Sequence, residues 1–156
     1  MRNLVLLLVF PVLFSVASGC TSEGVRSFYC LPNNKCVTIW KTESKKALII
    51  LGKYEDSKRP SDNYVELFDI TNMVDWYADV IFVSGDSLIV DVGNNGKVIC
   101  HSSQRNVRLF SDNKTLNDSL FTYFDGKYRK YKNHIEYLSI NIKENYATDK
   151  TGKKLK

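Results

Sequence analysis

At 156 residues, 44% of them hydrophobic, the chain can fill one packed core, and its nine tyrosines and eight phenylalanines argue against intrinsic disorder. The formal charge of +5 owes much to Lys150, Lys153, Lys154 and Lys156, so it describes a basic C-terminal end more than a basic surface. Two histidines and four cysteines leave little material for a metal centre or a nucleophile–base pair.

The chain opens on an export signal. Arg2 precedes an uncharged apolar run over residues 4–14, and Ser15-Val16-Ala17-Ser18-Gly19 brings small side chains up to Cys20. The stretch falls short of the roughly 20 apolar residues of a transmembrane helix. Pro11 also interrupts it, which predicts a cleaved signal over residues 1–19. Ala17-Ser18-Gly19 would suit an ordinary signal peptidase and release a secreted protein. The same residues resemble a bacterial lipobox, in which small residues lead to a cysteine whose thiol accepts a diacylglycerol. Only a strongly nucleophilic thiolate serves that chemistry. Ala17 stands where the pattern favours leucine.

The resemblance implies a bacterial envelope lipoprotein, lipidated on Cys20 and held in a bilayer by several acyl chains, since one chain alone anchors only marginally. Thr21, rather than aspartate, follows the cysteine. By the same resemblance the destination is an outer membrane, facing the periplasm, if the host is Gram-negative; plain secretion is the alternative. Residues 20–26 are expected to form a polar tether, and residues 27–145 a β-rich domain.

Within that domain, short β-type runs alternate with turns. Ser27-Phe28-Tyr29 and Val37-Thr38-Ile39-Trp40 predict a hairpin. Cys30 and Cys36, on either side of Leu31-Pro32-Asn33-Asn34-Lys35, suit a disulfide across it in an oxidising compartment. Cys100 would then remain a buried thiol; with Cys20 unlipidated, a Cys20–Cys100 pair becomes available. Ala47-Leu48-Ile49-Ile50-Leu51 predicts a strand covered on both faces. Residues 55–63, with Pro60 and several charges, are expected to be an outer loop, and a strand resumes over residues 64–69.

Further on, residues 80–83 and 88–92 flank Ser84-Gly85-Asp86-Ser87 as a hairpin, and Gly93-Asn94-Asn95-Gly96 turns the chain into Lys97-Val98-Ile99-Cys100. Asn-Gly tolerates the positive φ of tight turns, so a three-stranded meander is predicted. Residues 107–110 read as another strand. Helical signals lie at residues 71–78 and at the capping box Thr115-Leu116-Asn117-Asp118, with Leu116, Leu120 and Phe124 on one face. Residues 134–142 alternate, but their apolar phase slips between Tyr137 and Leu138, which predicts a β-bulge. Residues 146–156 read as a basic flexible tail. The fold class is mainly β: a single antiparallel β-sandwich or partly open barrel with one or two short helices.

Charge is uneven along the domain. Residues 55–91 hold nine acids and two bases, residues 97–132 eight bases and three acids, so strands from the two halves are expected to pair.

Catalytic signals are sparse. Cys100 and His101 adjoin, but neighbours on a strand face opposite ways. No metal-ligand spacing, phosphate-binding glycine loop or nucleophile elbow is legible, and no cofactor is implied. The segment Lys127-Tyr128-Arg129-Lys130-Tyr131-Lys132 interleaves bases with tyrosines, which suits an anionic partner. An exported protein meets acidic glycans or proteins rather than nucleic acid. The plainer reading is a solvated ribbon whose lysines guard an edge. Asn113-Lys114-Thr115 and Asn117-Asp118-Ser119 are glycosylation sequons, relevant only in a eukaryotic host.

Together these features predict a membrane-tethered, non-enzymatic envelope protein that binds another macromolecule, of inhibitor or immunity type. The alternatives are an envelope hydrolase with a site assembled from distant residues, and a secreted eukaryotic binding protein with two disulfides. Converging carboxylates would favour the hydrolase; an aromatic–basic surface would favour the binder.

Overall fold

The computed structural model describes residues 24–43, 45–70, 77–83, 87–92, 97–112, 117–124 and 128–155. Cys20, Lys127 and the signal lie outside them, as do residues 71–76 of one expected helix and the turns at 84–86 and 93–96.

Strand-forming runs rich in Val, Ile, Leu and aromatic residues build two sheets. The first contains β1 (Val25–Cys30), β2 (Cys36–Glu43), β3 (Lys46–Leu51), β4 (Tyr64–Phe68) and β7 (Val98–His101), in the order β1-β2-β3-β4-β7 and antiparallel throughout. The second holds β5 (Tyr77–Val83), β6 (Ser87–Asp91), β8 (Val107–Leu109), β11 (Glu136–Asn141), β12 (Tyr146–Asp149) and β13 (Lys154–Leu155), in the order β13-β12-β11-β5-β6-β8. The β6–β8 pair is parallel, so this sheet is mixed rather than wholly antiparallel. A two-stranded ribbon, β9 (Phe121–Phe124) and β10 (Tyr128–Tyr131), completes the set.

Period-two alternation sends one face of each sheet into a shared core. Val37, Ile39, Ala47, Ile49, Val65 and Leu67 of the first sheet meet Ala78, Val80, Leu88, Val90, Leu138 and Ile140 of the second. Each fully buried Ile, Leu or Val among them contributes about 1.5–3 kcal/mol. The outer face of the second sheet is covered too, with Ile81 and Ile89 beneath Leu120 and Phe121. The β3 run is buried on both faces, as its unbroken apolar sequence requires: Ile49 faces the core, while Leu48 and Ile50 join a separate cluster outside.

Several expectations are corrected. The residues expected as tether are already ordered strand from Val25, and Gly24 lies against the Lys41 carbonyl. The basic tail is strand as well: Ala147 pairs with Ile140 and Leu155 with Ala147, and both enter the core. The meander is broken, because β7 crosses to the first sheet and pairs with β4 instead of β6. An Asn-Gly turn sets a local reversal and does not choose the next partner. β11 pairs with β5 without a bulge from Glu136 to Asn141. Its phase slip arises because Leu138 faces the core while Tyr137 packs under the ribbon on the other side. The second helical signal yields one turn, α1 (Asn117–Leu120), and Phe124 belongs to β9.

The pairing of the two charge halves is present in β4–β7 and β6–β8. A corner between β7 and β8 closes one side of the sandwich: Ser102 Oγ accepts the Val107 N–H at 3.1 Å, and Cys100 Sγ donates to the Val107 carbonyl at 3.3 Å.

Candidate functional site: the outer face of the first sheet

The strand register lays two rows across the face turned away from the core. One row is Arg26, Trp40, Leu48, Glu66 and Ile99; the other is Phe28, Thr38, Ile50, Tyr64 and His101. An outer row of this kind would ordinarily be polar. Here aromatic and aliphatic side chains (Phe28, Trp40, Leu48, Ile50, Tyr64 and Ile99) outnumber the polar ones, and residues 52–63 fold over part of it.

That loop is pinned at both ends. Thr38 Oγ1 donates to the Gly52 carbonyl at 2.8 Å and accepts the Tyr54 N–H at 2.8 Å. Gly52 turns the chain with φ of 83°, a left-handed conformation that favours glycine. Tyr54 stacks on Trp40 with centroids 6.4 Å apart, and its hydroxyl donates to the Lys58 carbonyl. Pro60, expected outside, is buried as the loop descends to β4. Beyond it, Asp62 accepts both the N–H and the hydroxyl of Ser103, which holds its carboxyl below the usual carboxylate range.

Five cations sit over rings on this face: Arg26 over Trp40 at 3.9 Å, Lys53 over Phe28 at 5.5 Å, Arg59 over Tyr64 at 5.2 Å, and Lys46 and Lys97 over Phe68 at 5.7 and 5.6 Å. Three of them also meet carboxylates, Lys46 with Glu43, Lys53 with Glu55 and Arg59 with Glu66. Arg26 and Lys97 form no ion pair among the described residues. The indole N–H of Trp40, under Arg26, is buried with no acceptor among the described residues.

Glu66 is the buried acid of the site, its side chain 8% exposed. The Arg59 guanidinium donates to it, and His101 Nε2 lies 3.6 Å from the same oxygen. His101 stacks on Tyr64 with centroids 4.4 Å apart. Burial works against the Arg59 cation, and hydrogen bonding to Glu66 and Tyr64 outweighs it, so its pKa is raised. Cys100, on the other side of the strand, packs against the core, which separates it from His101 as the alternation predicts.

A pocket of about 450 Å³ opens at the β1 margin of this face, lined by Gly24, Arg26, Phe28, Glu55 and Ser57. A second, of about 260 Å³, lies where the β1–β2 turn meets β11 and β12, beside Asn33, Glu136 and Lys150. The Cys30–Cys36 disulfide is present at the base of that turn. Asn33 and Lys35 both donate to Glu136, at 2.6 and 3.3 Å.

Of the basic–aromatic segment, Tyr128, Arg129, Lys130 and Tyr131 form β10. Tyr131 is turned inward rather than offered to a ligand: it packs on Phe121 and Tyr137 at 4.6 and 4.2 Å, and its hydroxyl donates to Asp79 at 2.9 Å. Lys130 is exposed, and Lys132 is half-buried with its N–H on the Leu120 carbonyl. On the same side of the second sheet, Asp79 stands directly opposite Asp91 on the neighbouring strand.

Sequence reasoning missed Arg26, Phe28, Trp40, Arg59 and Glu66. The one local signal was Arg26-Ser27-Phe28, a cation and a ring two apart on a strand and hence on one face. No family model, curated protein or solved structure matches this chain.

Proposed function

We propose that this chain is a non-catalytic binding module of a cell envelope, held at a bilayer through acylated Cys20, and that the outer face of its first sheet takes a macromolecular partner. The supporting observation is the concentration of five cations over aromatic rings on that one face. A cation seated on a ring keeps its charge at the surface while losing little freedom on binding. Arg, Trp and Tyr are also the side chains that most often dominate interface energies. An inhibitor or immunity role fits such a platform, because blocking another protein needs a rigid surface and no reactive group.

Affinity capture from the native envelope extract tests this reading. The mature domain should retain a defined partner, and the triple variant Arg26→Gln, Lys53→Gln, Lys97→Gln should lose it. Equal capture by both would move the binding surface elsewhere.

A hydrolase is the second reading, favoured by Asp79 and Asp91. Cross-strand neighbours bring their Cβ atoms to about 5 Å, close enough for two carboxylates to share acid and base roles. Turnover of an envelope polymer by the native chain, abolished in Asp91→Asn, would establish it over the binder.

A further inference from the structure

Building on the binding-module reading, we infer that β1 is a strand-addition edge, and that its partner is an extended protein segment carrying an acidic and an apolar side chain two residues apart. β1 ends the order of the first sheet, with β2 on one side and no described strand on the other. A strand with one neighbour turns every second backbone N–H and C=O outward, a template for another chain. Of the usual guards β1 carries one charge, Arg26, and that charge is itself seated on Trp40. Its six residues Val25–Cys30 pair with β2 in continuous register, with no bulge and no proline. By contrast β13 has two residues and β8 three, and β7 runs into the corner that joins it to β8.

The pocket makes this edge selective. Gly24, Arg26 and Phe28, alternate residues of one strand face, line it, and Glu55 and Ser57 of the covering loop form its far wall. Strand addition uses backbone hydrogen bonds for affinity and such pockets for choice of side chain. A residue added opposite Arg26 or Phe28 would place its Cβ about 5 Å away on the same face. Arg26 sits over Trp40 at 3.9 Å, which occupies its face and leaves its in-plane N–H fork for a carboxylate. Among the described residues Glu55 meets Lys53 at 2.5 Å and no ion pair joins it to Arg26. Phe28, two residues on, offers the apolar contact. The complementary ligand strand therefore presents acid and apolar residue with one residue between.

The test uses the full mature chain and two nine-residue threonine-rich peptides containing Glu-Thr-Phe or Phe-Thr-Glu, the two orders covering parallel and antiparallel addition. Expected results are binding of at least one, slowed hydrogen exchange at β1 amides, and about tenfold or greater weakening in Arg26→Gln. A peptide N-methylated along one edge should not bind, while Lys130→Gln should leave affinity unchanged. No β1 protection by either peptide, equal affinity of the N-methylated form, or indifference to Arg26→Gln at an unchanged unfolding midpoint would overturn it. Concentration-dependent dimerisation that protects β1 without peptide would overturn it as well, by assigning the edge to a second copy. If capture from envelope extract still depends on the cation-covered face while β1 stays unprotected, this inference fails and the binding reading stands.

Discussion

Glu66 shows how unequal the two ends of one ion pair can be. Its side chain is 8% exposed, whereas that of Arg59 is 49% exposed. Replacing Glu66 by Gln leaves a guanidinium that can turn to water. Replacing Arg59 by Met leaves a buried carboxylate whose one remaining ion-pair partner among the described residues is His101, at 3.6 Å. Arg59→Met should therefore destabilise more, by about 2–4 kcal/mol against about 1–2 for Glu66→Gln, read from urea midpoints at pH 7. Two carboxyls beside the β1–β2 turn carry an acid-sensitive contribution. The Asn33 amide and the Lys35 ammonium hold the Glu136 carboxyl below its ordinary 4.5, and the Thr151 hydroxyl and backbone N–H groups hold that of Asp149 below 3.8. A carboxyl lowered by folding adds stability in full above its unfolded pKa and loses it as pH falls through the folded one. Midpoints should be flat from about pH 7 to 5 and drop below about pH 4. Glu136→Gln should be less stable at neutral pH and less acid-sensitive; an unchanged acid limb would remove Glu136 from this account.

At the scale of elements, the β1–β2 hairpin is fastened three ways: by continuous register, by the Cys30–Cys36 disulfide at its turn, and by Gly24 at its open end. Closing so short a loop contributes about 2 kcal/mol on the chain-entropy model. Cys30→Ser with Cys36→Ser should lower stability by about that amount and weaken the docking of Asn33 and Lys35 on Glu136, seen as faster exchange in the turn. At Gly24 a Cβ would lie 1.7 Å from the Lys41 carbonyl oxygen and 2.9 Å from Thr42 Cα, both backbone. Gly24→Ala should therefore fray the start of β1, costing about 1–3 kcal/mol, with exchange accelerating at Val25 before Tyr29. This hairpin was legible in sequence because its signals are local: alternation, a proline–asparagine turn and paired cysteines. The same holds for β3 and for the β5–β6 hairpin. β12 and β13 were not legible, since these last two strands of their sheet need only Ala147 and Leu155 inside and otherwise read as polar chain. Nor was Glu66, which occupies the polar phase of Tyr64-Val65-Glu66-Leu67 and is buried by a loop whose path no local pattern specifies.

For the molecule as a whole, the anchor and the disulfide pattern are decided together. Cys100 lies on β7, at the opposite end of the first sheet from β1, and packs against the core. Four strand spacings separate the two edges, about 19 Å. Four extended residues, the distance from Cys20 to Gly24, reach at most about 14 Å. With the roughly 6 Å between disulfide-bonded Cα atoms added, a Cys20–Cys100 bridge would need all four residues fully extended and carried across to the core side, where Cys100 packs. The proposed acylation makes no such demand on Gly24, the first described residue. Intact mass of the mature chain should show an acylated Cys20 at its amino terminus and one disulfide. Cys20→Ser should move the protein from the membrane fraction to the soluble one, with urea midpoint and affinity for the acid–apolar peptide unchanged. A mature chain with no acyl mass and two disulfides would replace the anchor with secretion.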